Sequence, residues 1–380
     1  MSYLAQRFQH SQQGFSLNAA LLAKYPDIID LSIGDPDPIT DAQVIDTAFQ
    51  DAKAGYTHYG DPQGDPALIA AIQALWRDDY GQSVSAEEIL ITASSGLGMS
   101  LALMAILNPG EEVIVFSPYF PVYRQQIELA GGVCVEVPTY AEEAFAIRET
   151  RLRSAITPRT RAIIFNNPCN PTGKAYSPQE YDIVARAARA HHLLVLSDEI
   201  YTSYLAAPFV PFRTLPGMAS CTVTLNSFSK DYLMSGWRLG SVIAPAELIG
   251  VMQYINSTLV YAAPSISQRA AVAAIKRREE LHRRNREIFL PRIAYAAQRI
   301  QSIPYLELVP PQGTFYLFPD AKRTGLSSRE LCDAILERAH VLVSPGQVFG
   351  SAGQGHFRIA CTVAQDTLCE AFDRMERLTF

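Results

Sequence analysis

The chain has 380 residues, 48% apolar and 18% charged, too long for one small core and ordinary in composition for a globular protein. Its 32 basic against 38 acidic residues leave a net charge of -6, which excludes a general nucleic-acid surface but not a local basic pocket for an anionic ligand. Six scattered cysteines without a C-x-x-C pair, and seven histidines without an H-E-x-x-H cluster, argue against a disulfide frame, a zinc site or any other protein-ligated metal.

The first twenty residues are polar and lack the apolar run of a signal peptide, and no stretch reaches the roughly 18 to 20 continuous apolar residues of a membrane span. The expectation is a soluble, cytoplasmic chain with neither membrane nor nucleic acid among its partners. Residues 1–45 end in the turn-rich run IGDPDPIT (33–40). From about 88 to 245, short apolar runs alternate with helical stretches. The runs are ILIT (89–92), EVIVF (112–116), VCVEV (133–137), RAIIF (161–165), LLVLS (193–197), CTVTL (221–225) and LGSVIA (239–244). Their nearly continuous apolar character predicts strands buried on both faces of a mainly parallel sheet. Amphipathic segments at 96–107, 119–130 and 178–192 lie between them. After about 265 the chain becomes helical and basic, then gives strand-like pieces at 305–318, 341–343 and FRIA (357–360). The fold class is therefore α/β. A large domain over 46–280 carries a seven-stranded, mainly parallel sheet, and a smaller C-terminal α/β lobe over 281–380 is completed by the segment 1–45.

Ligands of open α/β sheets bind outside the carboxyl ends of the strands. The polar residues of this chain gather there. ILIT is followed by Ala93, Ser94, Ser95 and Gly96, opening a helix, and RAIIF by the run NNPCNPTG (166–173). LLVLS leads into Asp198, Glu199, Ile200 and Tyr201, and CTVTL into Asn226, Ser227, Phe228, Ser229 and Lys230. A Ser-Ser-Gly turn at a helix start suits a phosphate, through free N–H groups and the helix dipole. The third glycine of the dinucleotide fingerprint is missing, and so is a P-loop. Each feature alone has an ordinary explanation: a serine cap, a double turn, a capping aspartate, a solvated lysine, a snorkelling Arg358. Gathered on one rim, they would need several independent coincidences.

These motifs resemble, in order and over nearly the whole chain, the class I aminotransferases of the fold-type I pyridoxal-5′-phosphate (PLP) enzymes. Ser227-Phe228-Ser229-Lys230 followed by Gly236-Trp237-Arg238-Leu239-Gly240 is similar to the family's cofactor-lysine signature. NPCNPTG (167–173), SDEIY (197–201), IGDPD (33–37), THYGDPQG (57–64), SPYFPVY (117–123), GTFYLF (313–318) and FRIA (357–360) correspond to further blocks. The resemblance implies that Lys230 holds PLP as a Schiff base and, once freed, carries the substrate's Cα proton. Asp198 then faces the pyridine nitrogen, Tyr201 and Asn170 face the phenolic oxygen, and Phe120 stacks on the ring, with Tyr119 as an outside candidate. Ser95, Gly96, Ser227 and Arg238 take the phosphate, and Tyr59 reaches the phosphate of the partner subunit, which implies a homodimer with shared sites. Arg358 binds the substrate α-carboxylate, with the backbone of Gly34 nearby. One aspartate-specific branch has a lysine where this chain has Gly96, so that device for a distal carboxylate is absent here.

The implied activity is transfer of an α-amino group between an L-amino acid and a 2-oxo acid by a ping-pong mechanism. A PLP-dependent carbon–sulfur β-lyase shares the same lysine and cofactor contacts. A non-catalytic PLP-binding regulator is disfavoured because no basic helix-turn-helix segment accompanies the motifs. Side-chain selectivity is expected from the segment around Phe15 to Asn18 and from loops of both subunits.

Overall fold

A computed structural model describes Tyr3 and residues 19–380. After a helix over Ala19–Lys24 and a short strand β1 (Ile29–Asp30), the predicted runs fold as β2 (Ile89–Thr92), β3 (Glu112–Ser117), β4 (Val133–Pro138), β5 (Thr160–Asn166), β6 (Leu194–Asp198), β7 (Thr222–Ser227) and β8 (Gly240–Ile243). They form one sheet in the order β2-β8-β7-β6-β5-β3-β4. All pairings are parallel except those of β8, which runs against both β2 and β7.

Side chains alternate between two buried faces, which is why these strands read as unbroken apolar runs. Val113, Val115, Ile164 and Leu196 pack with Met99 and Leu103 of the helix Ser95–Ile106. Ile114, Ile163 and Val195 pack on the other face with Val184 of the helix Pro178–His191. That helix begins with a capping box, Ser177 and Glu180 each bonding the other's backbone, and has Pro178 at its first position. Only the edge strand β4 is substantially exposed.

The chain then forms a helix over Arg278–Ser302, and the strands β9 (Tyr316–Leu317), β10 (Val341–Leu342), β11 (Ser344–Pro345) and β12 (Phe357–Ala360). β12 lies between β11 and β9, antiparallel to both, and β10 pairs in parallel with β1. Ile29 and Leu31 share one core with Phe289, Val341, Phe357 and Phe372. The strand-like stretch expected over 305–318 shrinks to Tyr316–Leu317 and an isolated bridge between Glu307 and Asp320. Pro304, Pro310 and Pro311 cannot donate to a ladder, and Gly313 weakens what remains.

Candidate active site

The parallel strands end on one rim, facing the three-stranded sheet across a cavity of about 1300 Å³. Ser95, Gly96, Phe120, Asn170, Asp198, Tyr201, Ser227, Lys230, Arg238, Gly34 and Arg358 all line it. Tyr59 does not. It is 89% exposed on the surface, its ring edge-on to Tyr261 at 5.1 Å. The segment from Phe15 to Asn18 lies outside the described residues.

The phosphate-seat candidate is built by close approach. Ser94 caps the helix Ser95–Ile106 by accepting from the Leu97 amide at 3.0 Å. Gly240, at the start of β8, lies so near that a Cβ there would sit 2.4 Å from the Ser95 nitrogen. Only glycine fits, so the strand can press the helix start against the cavity. Arg238 takes a left-handed conformation (φ 54°) and donates from Nη1 to the Ser235 carbonyl at 2.8 Å. Two positive elements, helix end and guanidinium, therefore face one corner.

Asp198 lines the same cavity, buried at the end of β6. Burial pushes its carboxyl up to about 6, against the opposing pull of the Tyr123 hydroxyl and the Ile200 amide. Tyr123 donates to Oδ2, whereas Oδ1 is buried without any hydrogen-bond partner. A native structure rarely leaves such an acceptor empty, and Asp198 is one of the residues that line the cavity. Lys230 leaves a one-turn helix (Phe228–Asp231) at the same cavity, and its Nζ donates to the Gly34 carbonyl at 2.5 Å. Phe120 meets Tyr123 edge-on at 5.5 Å. The hydroxyl of neighbouring Tyr119 is taken up by Glu136 and Arg124, which leaves Phe120 as the free ring.

Arg358 is buried on β12. Its Nη1 donates to Asn170 Oδ1 at 2.9 Å and its Nη2 to the Ser32 carbonyl, while Nε has no partner. A guanidinium carries five N–H groups, so donors remain for a carboxylate. Two site residues escape motif reading. Tyr123 holds Asp198, and Tyr316 touches Tyr201, Gly34 and Arg358. Both stand inside blocks noted above, but Asp198 lies 75 residues from Tyr123, and Tyr201 lies 115 residues from Tyr316. The only signal in the sequence is a tyrosine where a buried apolar residue would serve.

A capped helix start, an orphaned carboxylate oxygen and a lysine amine thus share one cavity, a set of groups able to take an anion, an N–H donor and a carbonyl carbon. The family described as aminotransferase class I and II matches residues 26–375. An aspartate aminotransferase of Pyrococcus abyssi is 36% identical over 371 residues, 94% of this chain and 93% of that protein. An arginine–pyruvate transaminase of Pseudomonas aeruginosa is 34% identical over 357 residues, 92% and 89% of the two chains. The structure of a Thermus thermophilus aspartate aminotransferase with maleate has a TM-score of 0.92 at 32% identity, covering 99% of this chain and 100% of that one. The chain belongs to the class I and II aminotransferases, and is accordingly a PLP-dependent transaminase.

The residues present fit that cofactor. A protonated pyridine nitrogen would be the N–H donor that Asp198 Oδ1 lacks, and the helix start at Ser95 with Arg238 would offer donors to a phosphate. Among the described residues, no helix is long and apolar enough to cross a membrane.

Proposed function

We propose that this transaminase moves the α-amino group of an L-amino acid to a 2-oxo acid in two alternating half-reactions, with the residues of the large cavity in the following roles. Bound PLP supplies an electrophilic carbon and an electron-accepting ring. Lys230 anchors the cofactor and then carries the proton removed from the substrate's Cα. Asp198, held by Tyr123, keeps the pyridine nitrogen protonated by offering Oδ1 to its N–H. Tyr201 and Asn170 face the phenolic oxygen, and Phe120 covers the ring. Ser95, Gly96, Ser227 and Arg238 bind the phosphate. Arg358 grips the α-carboxylate beside Gly34 and thereby fixes the direction of the Cα–H bond. The single observation that carries this reading is the orphaned Asp198 Oδ1 in the same cavity as the Lys230 amine.

The reading extends to a homodimer in a cytoplasmic compartment, with Tyr59 serving the partner's phosphate. Its support is a surface cluster of aromatic and aliphatic side chains, Tyr59, Tyr254, Leu259, Val260 and Tyr261, exposed by 45% or more. Large exposed apolar patches mark interaction surfaces. It also divides the chain into a cofactor-binding domain over 46–280 and a smaller lobe made from 281–380 and 1–45, a division supported by the β1–β10 pairing.

The test is a single half-reaction. Stopped-flow mixing of holoenzyme with an amino donor alone should change the bound cofactor's spectrum stoichiometrically and without turnover. A 2-oxo acid should restore it. Continuous release of ammonia and pyruvate from cysteine-type substrates, with no such accumulated change, would make the protein a β-lyase instead.

A further inference from the structure

Tyr316 lies on β9, 3% exposed, and no motif assigns it a task. Its ring centroid lies 4.3 Å from the Arg358 Cζ, and Phe349 covers the same guanidinium from 4.8 Å. Its hydroxyl lies 3.3 Å from that of Tyr201, the two rings edge-on. A Cβ on Gly34 would fall 1.7 Å from the same hydroxyl oxygen, so the Gly34 peptide, which accepts from Lys230, rests directly against it. One side chain thus touches the carboxylate grip, the phenol beside the cofactor and the lysine's resting partner.

We propose that Tyr316 is a positioning residue of the transfer site: its ring holds Arg358 flat, and its hydroxyl, which accepts from Tyr201 in this structure, turns to donate to Tyr201 once a bound acceptor takes the Tyr201 proton. The proposal rests on the roles given above to Tyr201 and Arg358. Of two phenols at 3.3 Å, one donates to the other. A Tyr201 proton turned toward Tyr316 is lost to any bound acceptor. When Tyr316 donates instead, the Tyr201 proton is free, and the chain of two bonds strengthens the outward one. The other charged or titratable groups around the pair are Asp198 at the end of β6 with Tyr123 behind it, Lys230 on the one-turn helix, Arg358 on β12 and Tyr204 in the turn that follows Tyr201. The ring acts separately, because a cation over an aromatic face is attracted to it whether or not that ring carries a hydroxyl.

The experiment compares holoenzymes of wild type, Tyr316→Phe, Tyr316→Leu, Tyr201→Phe and the double variant Tyr201→Phe/Tyr316→Phe. Two quantities are read: the pH midpoint of the bound cofactor's visible absorption change, and KM for the amino donor. A weakened outward bond from Tyr201 favours the protonated form of its acceptor, so Tyr316→Phe should raise the midpoint by about half a pH unit while KM stays within about twofold. Tyr316→Leu should add a rise in KM on the order of tenfold. In the Tyr201→Phe background, Tyr316→Phe should move the midpoint no further. A midpoint that shifts in Tyr201→Phe but not in Tyr316→Phe overturns the proposal and leaves the role of Tyr201 standing. Additive shifts in the double variant, or equal KM in the Phe and Leu variants, also overturn it. If Tyr201→Phe itself leaves the midpoint in place, the role of Tyr201 falls and the proposal falls with it.

Discussion

Asp198 and Glu199 are neighbours that point to different spaces. Asp198 lines the large cavity, whereas Glu199 lines a second one of about 460 Å³ behind the Lys230 helix, beside Asp231 and His282. Glu199 Oε1 accepts from Ser197 Oγ at 2.7 Å and from the Phe212 amide at 2.9 Å. Those bonds pull its pKa down, but burial outweighs them and pushes it up to about 8. A carboxyl whose folded pKa exceeds its unfolded value stabilises the fold at low pH, and that contribution fades as pH rises toward and through the folded value. Between pH 7 and 8 the apoenzyme should therefore lose about 1 kcal/mol of stability through Glu199. His282 and His356, whose pKa values burial holds below the usual histidine range, are already neutral in that window and add little. Urea unfolding at the two pH values checks this, with Glu199→Gln as the control that should flatten the difference. An equal loss in the Gln variant would mean that another group titrates there.

The one-turn helix Phe228–Asp231 is too short to hold its own position. Asp231 holds it, accepting from the Thr202 amide and hydroxyl at 3.1 and 2.6 Å and from the Ser203 amide and hydroxyl at 3.2 and 2.9 Å. Tyr204 bonds the Lys230 carbonyl, and Asn285, from the helix Arg278–Ser302, bonds the Asp231 carbonyl. The lysine turn and the turn after Tyr201 are therefore tied to each other by five hydrogen bonds. Asp231→Ala strands four donors, the two of Ser203 buried and the two of Thr202 partly so, at a cost of about 3 kcal/mol, and should lower the thermal midpoint of the apoenzyme by several degrees. A midpoint within a degree of wild type would show that the clamp carries no stability. The motifs made Lys230 and Tyr201 visible because each stands in a short signature at a strand end. The clamp between them was hidden, since Asp231 and Thr202 are 29 residues apart and neither is unusual by itself. The seven strands of the large sheet were legible because burial on both faces leaves continuous apolar runs. In the smaller lobe, two-residue strands set among prolines leave no period to read. The basic run after 265 was visible too, but its purpose was not. Arg278 pairs with Asp79 at 2.5 Å and Arg292 with Asp37 at 2.5 Å, so these charges hold distant segments together.

At the scale of the whole molecule, the proposed sharing of sites predicts a complementation that no single chain can show. Lys230→Ala removes the anchor within one subunit. Tyr59→Ala, if Tyr59 serves the partner, damages the site across the interface. Each homodimer should be nearly inactive. After subunit exchange, half of the mixed dimers' sites carry both lesions and half carry neither, so activity should reappear, up to about a quarter of wild type for a random mixture. Exchange proven by mass, with no recovered activity, would assign Tyr59 to its own subunit or remove it from the site.

The pairing of β1 with β10 also imposes an order on how the protein is made. Ile29 and Leu31 leave the ribosome long before Val341 and Leu342, yet those residues belong to the strand and core that bury them. The large sheet has all its strands once Ile243 has emerged and can form on the growing chain. The β1–β10 pair cannot, because β10 leaves the ribosome only after every strand of the large sheet. Throughout that interval Ile29 and Leu31 lack the partners that bury them, and the cavity, with Gly34 against Tyr316 and Lys230, is walled only after β9 to β12 have emerged.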